Sequence, residues 1–308
     1  MPAARAEKKR IVAFTPCPNP DGLSAGGQGR RRYSGRVEAG SPSDGPFDRA
    51  LRRQRRARAA ASGGAADYLL RHMEEELVER LDLVTRPFSD ALVLGPDAGL
   101  ADRLAARGLQ VTTSMADEDR LPFSAPRFDL IVSAGSLDTV NDLPGALIQI
   151  RRALRPDGLF LAAFVGAGSL KRLRRAMRAA EEAEARPPAP RIHPQIDVRA
   201  AGDLLTRAGF ALPVADGANL NVRFSSFARA VADLRAMGGT NLLAARDRRP
   251  FGRAGLAAAI ADFEEAGGTV ETFEIVHLLG WAPGPDQPRP AARGSGSVSL
   301  AETLRRDG

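Results

Sequence analysis

Three apolar runs, ALVLG at 91–95, FDLIVSAG at 128–135 and LFLAAFV at 159–165, are separated by segments of helical spacing, and this alternation restricts the chain more than any other feature. Successive strand side chains point to opposite faces of a sheet, so a run that is apolar at every position suits a strand buried on both sides. After the first run comes a helical pattern at 98–107, then LQVTTSM with a short strand at 109–114, and then the turn DEDRLPF. Between the second and third runs, NDLPGALIQIRRALRPDG reads as a helix. Asn141 or Asp142 caps it, Pro144 fits its first turn, Leu143, Leu147, Ile150 and Leu154 form its stripe, and Gly158 is the expected stop. Such β-α-β-α-β order predicts an α/β, doubly wound sheet with helices on both faces.

Two helices are expected ahead of this core. FDRALRRQRRARAAA consists of strong helix formers, with Asp48 as cap and Ser62-Gly63-Gly64 as stop. The next, about Ala66 to Leu83, carries Leu69, Met73, Leu77 and Leu81 at steps of four, an apolar stripe whose charged neighbours should face water. Behind the core, KRLRRAMRAAEEAEA is a charged helix, RPPAPRIHP interrupts it with prolines, and DVRAAGDLLTRAGF is a further helix. Strand-like ALPV and LNVRF follow, then helices at about 225–237 and 252–265, and a last strand in VETFEIVHLLGWAP. The expected organisation is a disordered basic tail at 1–46, N-terminal helices at 47–84, an α/β domain at 85–282 with a helical insertion at about 225–265, and a flexible tail at 283–308.

Charge and composition exclude several classes. The net charge is +7, yet residues 1–71 hold 15 basic and 6 acidic side chains, while the remainder holds 29 and 31. The basic character therefore belongs to the N-terminal quarter, and a uniformly basic nucleic-acid groove is disfavoured. Aromatics other than Tyr33 and Phe47 are not interleaved with the 30–58 arginines, so the stacking element of a single-strand binder is nearly missing. Read blandly, the cluster is a solvated tail and helix. Cys17 is the single cysteine, and His72, His193 and His277 lie far apart, which leaves no disulfide framework and no recognisable metal set. No apolar run approaches a membrane span, and a cytoplasmic protein is expected.

In a doubly wound sheet the ligand lies at the carboxyl ends of the strands. Gly95, Asp97 and Gly99, in LGPDAG, fall there. Glycine at such a turn allows unusual backbone angles and close approach of a ligand, whereas Asp97 would repel a pyrophosphate and could accept a cationic group. The second candidate is the acidic turn Asp117, Glu118 and Asp119, placed to hydrogen-bond a base or ribose. Both features also have plain structural readings, a strand-turn-helix without chemistry and a solvated acidic turn.

Taken together, the glycine turn, D-E-x-LPF, FDLIVSAGSL, VNDLPGALIQIRRALRPDGLFL and LLTRAGFALPVAD resemble a class I S-adenosylmethionine (SAM) methyltransferase. The resemblance is narrower to the branch holding a complex I assembly factor described as an arginine hydroxylase and the malonyl-carrier-protein methyltransferase of biotin synthesis. It runs over about residues 47–300, with NDLPGALIQIRRALRPDG and LRAMGGTN its most specific blocks. It implies that Gly95 and Gly99 surround the methionine part of SAM and that Asp117 and Glu118 lie beside the adenine. Ser133 and the positions up to 142 would face the sulfonium and the substrate, with Asp138 or Asp142 orienting or deprotonating an acceptor.

Against that pattern, Val93 stands where the family has an acid, Asp97 where it has a glycine, and Asp138-Thr139 where relatives often have His-Trp. Only 18 steps separate Gly99 from Asp117, room for one helix and one strand. The resemblance calls for one more strand and helix, and a β-α-β unit takes ~30 residues. The acid that grips the ribose therefore has no counterpart, a loss of roughly 1.5–3 kcal/mol of charge-assisted hydrogen bonding. Two functional readings follow. One is a SAM-dependent methyltransferase-like protein with an eroded cofactor site, acting on a protein or another acceptor. The other is a non-catalytic assembly or binding factor for a respiratory complex I subunit.

Overall fold

The computed structural model describes residues 45–61, 66–265, 269–285 and 287–288. Residues 1–44 of the expected tail at 1–46, the SGG stop after the first helix and nearly all of the C-terminal tail lie outside them.

Six strands form one sheet. In chain order they are β1 (Asp90–Leu94), β2 (Gln110–Ser114), β3 (Phe128–Ala134), β4 (Leu154–Val165), β5 (Ala211–Arg223) and β6 (Val270–Trp281). Their spatial order is β2-β1-β3-β4-β6-β5, the first four parallel and β6 antiparallel to both β4 and β5. The helices are α1 (Arg49–Ala61), α2 (Tyr68–Asp82), α3 (Leu100–Ala105), α4 (Leu143–Ala153), α5 (Lys171–Ala183), α6 (Val198–Arg207), α7 (Phe227–Ala236) and α8 (Arg253–Glu265). The sheet is a doubly wound, Rossmann-like methyltransferase sheet in which β2 pairs directly with β1 and a single helix, α3, makes the crossover.

The near-continuous apolar runs are explained by burial on both faces. Ala91 and Val93 of β1 enter the same core as Leu130, Val132, Leu159 and Leu161, together with Leu69, Met73, Leu77 and Leu81 of α2. Leu92 and Leu94 face the other way, onto a core with Ile131, Phe160, Phe164, Leu147 and Ile150 of α4, and Leu205 of α6. The α2 stripe is buried as its spacing predicts.

Several expectations are corrected. Gly158 does not stop α4: the helix ends at Ala153, Leu154 already has extended backbone, and Gly158 lies within β4. The Pro156-Asp157-Gly158 stretch is absorbed as an irregularity where the β3–β4 register shifts between Phe128 and Leu130. ALPV and LNVRF are one strand, because β6 also pairs with the intervening Ala215 to Asn219, and Leu212-Pro213, inside the first piece, is accommodated by a register shift between Ala211 and Val214. α1 is not a solvated basic helix either, since Arg52 is among the buried residues. Among the described residues no helix is long and apolar enough to cross a membrane.

Candidate functional site

Two neighbouring cavities open at the carboxyl ends of the parallel strands, where β1 connects outward to β2 on one side and pairs with β3 on the other. This is the switch point at which such sheets bind ligands. The larger has a volume of about 540 Å³ and is lined by Gly95, Pro96, Asp97, Thr113, Met115 and Arg71, among others. The smaller, about 130 Å³, is walled by Leu69, Leu70, Met73, Leu234 and Phe273 and carries Asp138 and His193. Arg56, Ala66, Leu70 and Pro96 line both, so the two adjoin.

Gly95 sets the shape of the turn. Its φ of 91° is one that other residues resist, and its N–H donates to the Ser114 carbonyl at 2.9 Å, closing β1 onto the end of β2. Asp97 is a cap in this structure. One carboxylate oxygen accepts from the N–H groups of Gly99, Leu100 and Ala101 at 3.0, 2.7 and 3.3 Å. The bare amides of a helix start, which would otherwise welcome an anion, are thus already satisfied.

From α2, Glu74 completes the turn by accepting from the Ala98 N–H at 2.6 Å and from Arg103 at 2.5 Å. Glu74 is fully buried, contrary to the expectation that the charged residues of this helix face water. It sits beside Met73 and one turn before Leu77, at the margin of the apolar stripe, and that position was the available signal.

The acidic turn faces α1. Glu118 is fully buried and meets Arg52 at 2.7 Å and Arg56 at 3.1 Å. Asp119 receives a two-pronged contact from Arg49, both bonds 2.6 Å, and Asp117 pairs with Arg53 at 2.9 Å. Arg52, 3% exposed, also donates to the Ser136 carbonyl at 2.7 Å and the Thr139 hydroxyl at 3.0 Å. The α1 arginines thereby lock the loop after β3 to the acidic turn.

Burial pushes the Glu118 carboxyl up, but the Arg56 and Arg52 guanidiniums and the Arg52 hydrogen bond outweigh it and hold the group below its ordinary 4.5. Asp119 is held below 3.8 in the same way, its burial outweighed by the Arg49 hydrogen bonds and charge. Such carboxylates stabilise the fold above their ordinary values and cease to do so as pH falls through the lowered ones. Glu74 has the opposite sign, because burial exceeds the lowering contacts from Ala98 and Arg103 and raises its carboxyl. The pair Glu118 and Asp119 outnumbers it. We therefore expect chemical denaturation midpoints to be steady between pH 7 and about pH 5 and to fall clearly by about pH 3. Equal midpoints at pH 7 and 3 would contradict the proposed role of this cluster.

The sequence-derived candidates separate accordingly. Gly95 and Asp97 line the larger cavity and Asp138 the smaller. Gly99, Asp117, Glu118, Ser133 and Asp142 line neither. Asp117 and Glu118, expected beside a base, are engaged by α1. Ser133 is buried, its hydroxyl 2.8 Å from that of Ser136. Asp142 caps α4 through the Gly145 N–H at 2.9 Å. Sequence reasoning missed Arg52, Arg56, Glu74 and His193. Only Glu74 left a local trace.

Residues 60–162 match the family described as a methyltransferase domain. The chain is 32% identical over 331 aligned positions to the mitochondrial arginine-hydroxylase NDUFAF5 of Mus musculus, covering 96% of each chain. It is 35% identical over 251 to the Danio rerio protein of the same name, covering 78% of this chain and 73% of that one. A malonyl-[acyl-carrier protein] O-methyltransferase of a Methylovorus species is 30% identical over 272, with 77% and 90% covered. With the Rossmann-like sheet and a cleft at its switch point, this places the chain in the SAM-dependent class I methyltransferase family, as a methyltransferase-like protein of the branch that holds the NDUFAF5 arginine-hydroxylases and the malonyl-[acyl-carrier protein] O-methyltransferases.

Proposed function

We propose that the chain is a cytoplasmic enzyme that binds SAM in the larger cleft and passes its methyl group to an acceptor seated in the smaller chamber. The observation that carries this reading is the pairing of a 540 Å³ cleft over Gly95 with an adjoining apolar chamber at the strand ends. The cleft falls within the 300–1,000 Å³ of ordinary small-molecule sites. The residues present fit the cofactor in size and partly in charge. Asp67 and Arg71, paired at 2.6 Å and both lining the cleft, offer an anion and a cation to a zwitterionic amino-acid end. Gly95 and Pro96 line the cleft, and Thr113 and Met115 flank the side where a nucleoside would lie.

When bound, the cofactor supplies an electrophilic methyl group. The chain's own contribution is alignment and exclusion of water, which convert an encounter of two molecules into a reaction between neighbours. Leu69, Leu70, Met73 and Phe273 keep the chamber dry, while Arg52 fixes its wall through Ser136 and Thr139. The cofactor grip is weaker than in relatives with a ribose acid. β2 ends in Thr113 and Ser114, which offer hydroxyls, and the missing charge-assisted bond corresponds to roughly tenfold to hundredfold in affinity.

Calorimetry with SAM and S-adenosylhomocysteine tests the reading. Binding is expected for both, and it should be lost in Thr113→Trp, which fills the cleft from an exposed position on the edge strand. No binding at millimolar ligand would overturn it. One observation favours the second reading, a binding factor for a respiratory complex I subunit: the acidic turn and the α3 amides, both usual recognition groups for a nucleotide, are engaged internally. A stable complex with such a subunit, formed equally well by Thr113→Trp, would support that alternative.

A further inference from the structure

His193 comes from the proline-broken stretch 186–197, which the sequence left without a role. It is 6% exposed, its ring is set edge-on against Phe47 with centroids 5.7 Å apart, and it lines the smaller chamber. Its Nε2 is buried with no hydrogen-bond partner, 3.7 Å from a carboxylate oxygen of Asp138, which lines the same chamber. That gap is too long for a hydrogen bond. A buried polar atom left unpaired is costly, so the arrangement is completed by a group that bridges the two. Arg52 and Arg56 also line this chamber and pair with Glu118, whereas the His193 Nε2 is buried there with no hydrogen-bond partner and the Asp138 carboxylate lies beside it.

We propose that His193 and Asp138 form a polar clamp that seats the hydroxyl or amine end of a small apolar group. Such an end both donates and accepts: it donates to the Asp138 carboxylate and accepts from the imidazole N–H. The rest of the ligand lies against Leu69, Met73, Leu234 and Phe273. At about 130 Å³ the chamber matches a single ring, since apolar cavities of order 150 Å³ take up benzene. This names the acceptor class for the site proposed above and rests on that reading for its part in methyl transfer, whereas the binding itself does not depend on the cofactor.

Phenol and toluene, nearly equal in shape, are the probes, titrated into the full chain by NMR with the Met73 methyl and Phe273 ring signals, present in every variant, as reporters. Phenol is expected to bind about tenfold or more tighter than toluene. The preference should vanish in His193→Phe, which keeps a ring but removes the polar atoms, and shrink in Asp138→Ala. Retained toluene binding by both variants would show that the chamber itself is intact. Equal affinity for the two probes in the unaltered chain, a phenol preference that survives both substitutions, or binding of neither probe would each overturn the proposal. SAM calorimetry on the same samples keeps failure of the clamp distinct from failure of the cofactor reading.

Discussion

Replacing Arg52 with methionine is expected to destabilise the chain by about 3–5 kcal/mol, the range found when one partner of a buried ion pair is removed. Arg52 and Glu118 are 3% and 0% exposed and 2.7 Å apart, so solvent cannot take over the lost partner. After the substitution, Glu118 keeps only Arg56 at 3.1 Å, and the Ser136 carbonyl and Thr139 hydroxyl lose a donor. For a chain of this size the loss corresponds to a fall in melting temperature of roughly 6–20 °C. Glu118→Leu should cost a similar amount, since it leaves two guanidiniums facing an apolar wall. The double variant is the sharper experiment. With both charges gone only Arg56 has lost its carboxylate partner, and the combined cost should be smaller than the sum of the two single costs. Strict additivity, measured by chemical denaturation, would show that the two residues act independently.

Gly95→Ala is expected to cost about 2–5 kcal/mol, combining backbone strain with overpacking. A Cβ at that position would lie 2.8 Å from the Ser136 Cβ, and φ is +91°. Ser136 is fully buried and its carbonyl is held by Arg52, so the wall cannot move aside cheaply. Gly99 is the internal comparison. Its φ is +123°, but a Cβ there meets nothing within 4 Å, so Gly99→Ala should show the strain alone, about 1–3 kcal/mol. Equal costs at the two positions would refute the claim that Gly95 is required for close packing as well as for its backbone angle.

The two glycines show what could be read from the chain before its coordinates. β1 and β3 were legible as near-continuous apolar runs because both faces of the sheet are buried, and α2 and α4 because one buried stripe imposes a period of 3.6 on a helix. The glycine turn was legible because it falls between two such elements. The partners of the acidic turn were not. Arg52 and Glu118 are separated by 66 positions, and a charge pair at that distance imposes no local pattern. Asp97 looked like a ligand-facing acid, and only its three amide contacts reveal a cap. His193 lies in an irregular proline-rich segment, where periodicity carries no information, and its nearness to Asp138 is purely tertiary. β5 was read as two pieces because Ala215-Asp216-Gly217-Ala218-Asn219 carries no strand pattern of its own, while the pairing that joins them comes from β6.

The attachment of α1 also sets an order of events during synthesis. Arg55 donates to the carbonyls of Thr240 and Asn241, 185 and 186 positions later, and Phe47 bridges to Leu243. At translation speeds of about 5–20 residues per second, a helix that emerges early waits roughly 10–40 s for those acceptors. Its arginines remain hydrated and cationic through that interval, and the cavities that α1 helps to wall do not exist until it has passed. The nascent chain can therefore build its central sheet well before it can hold a small molecule, and completion of the binding site is among the last steps of its folding.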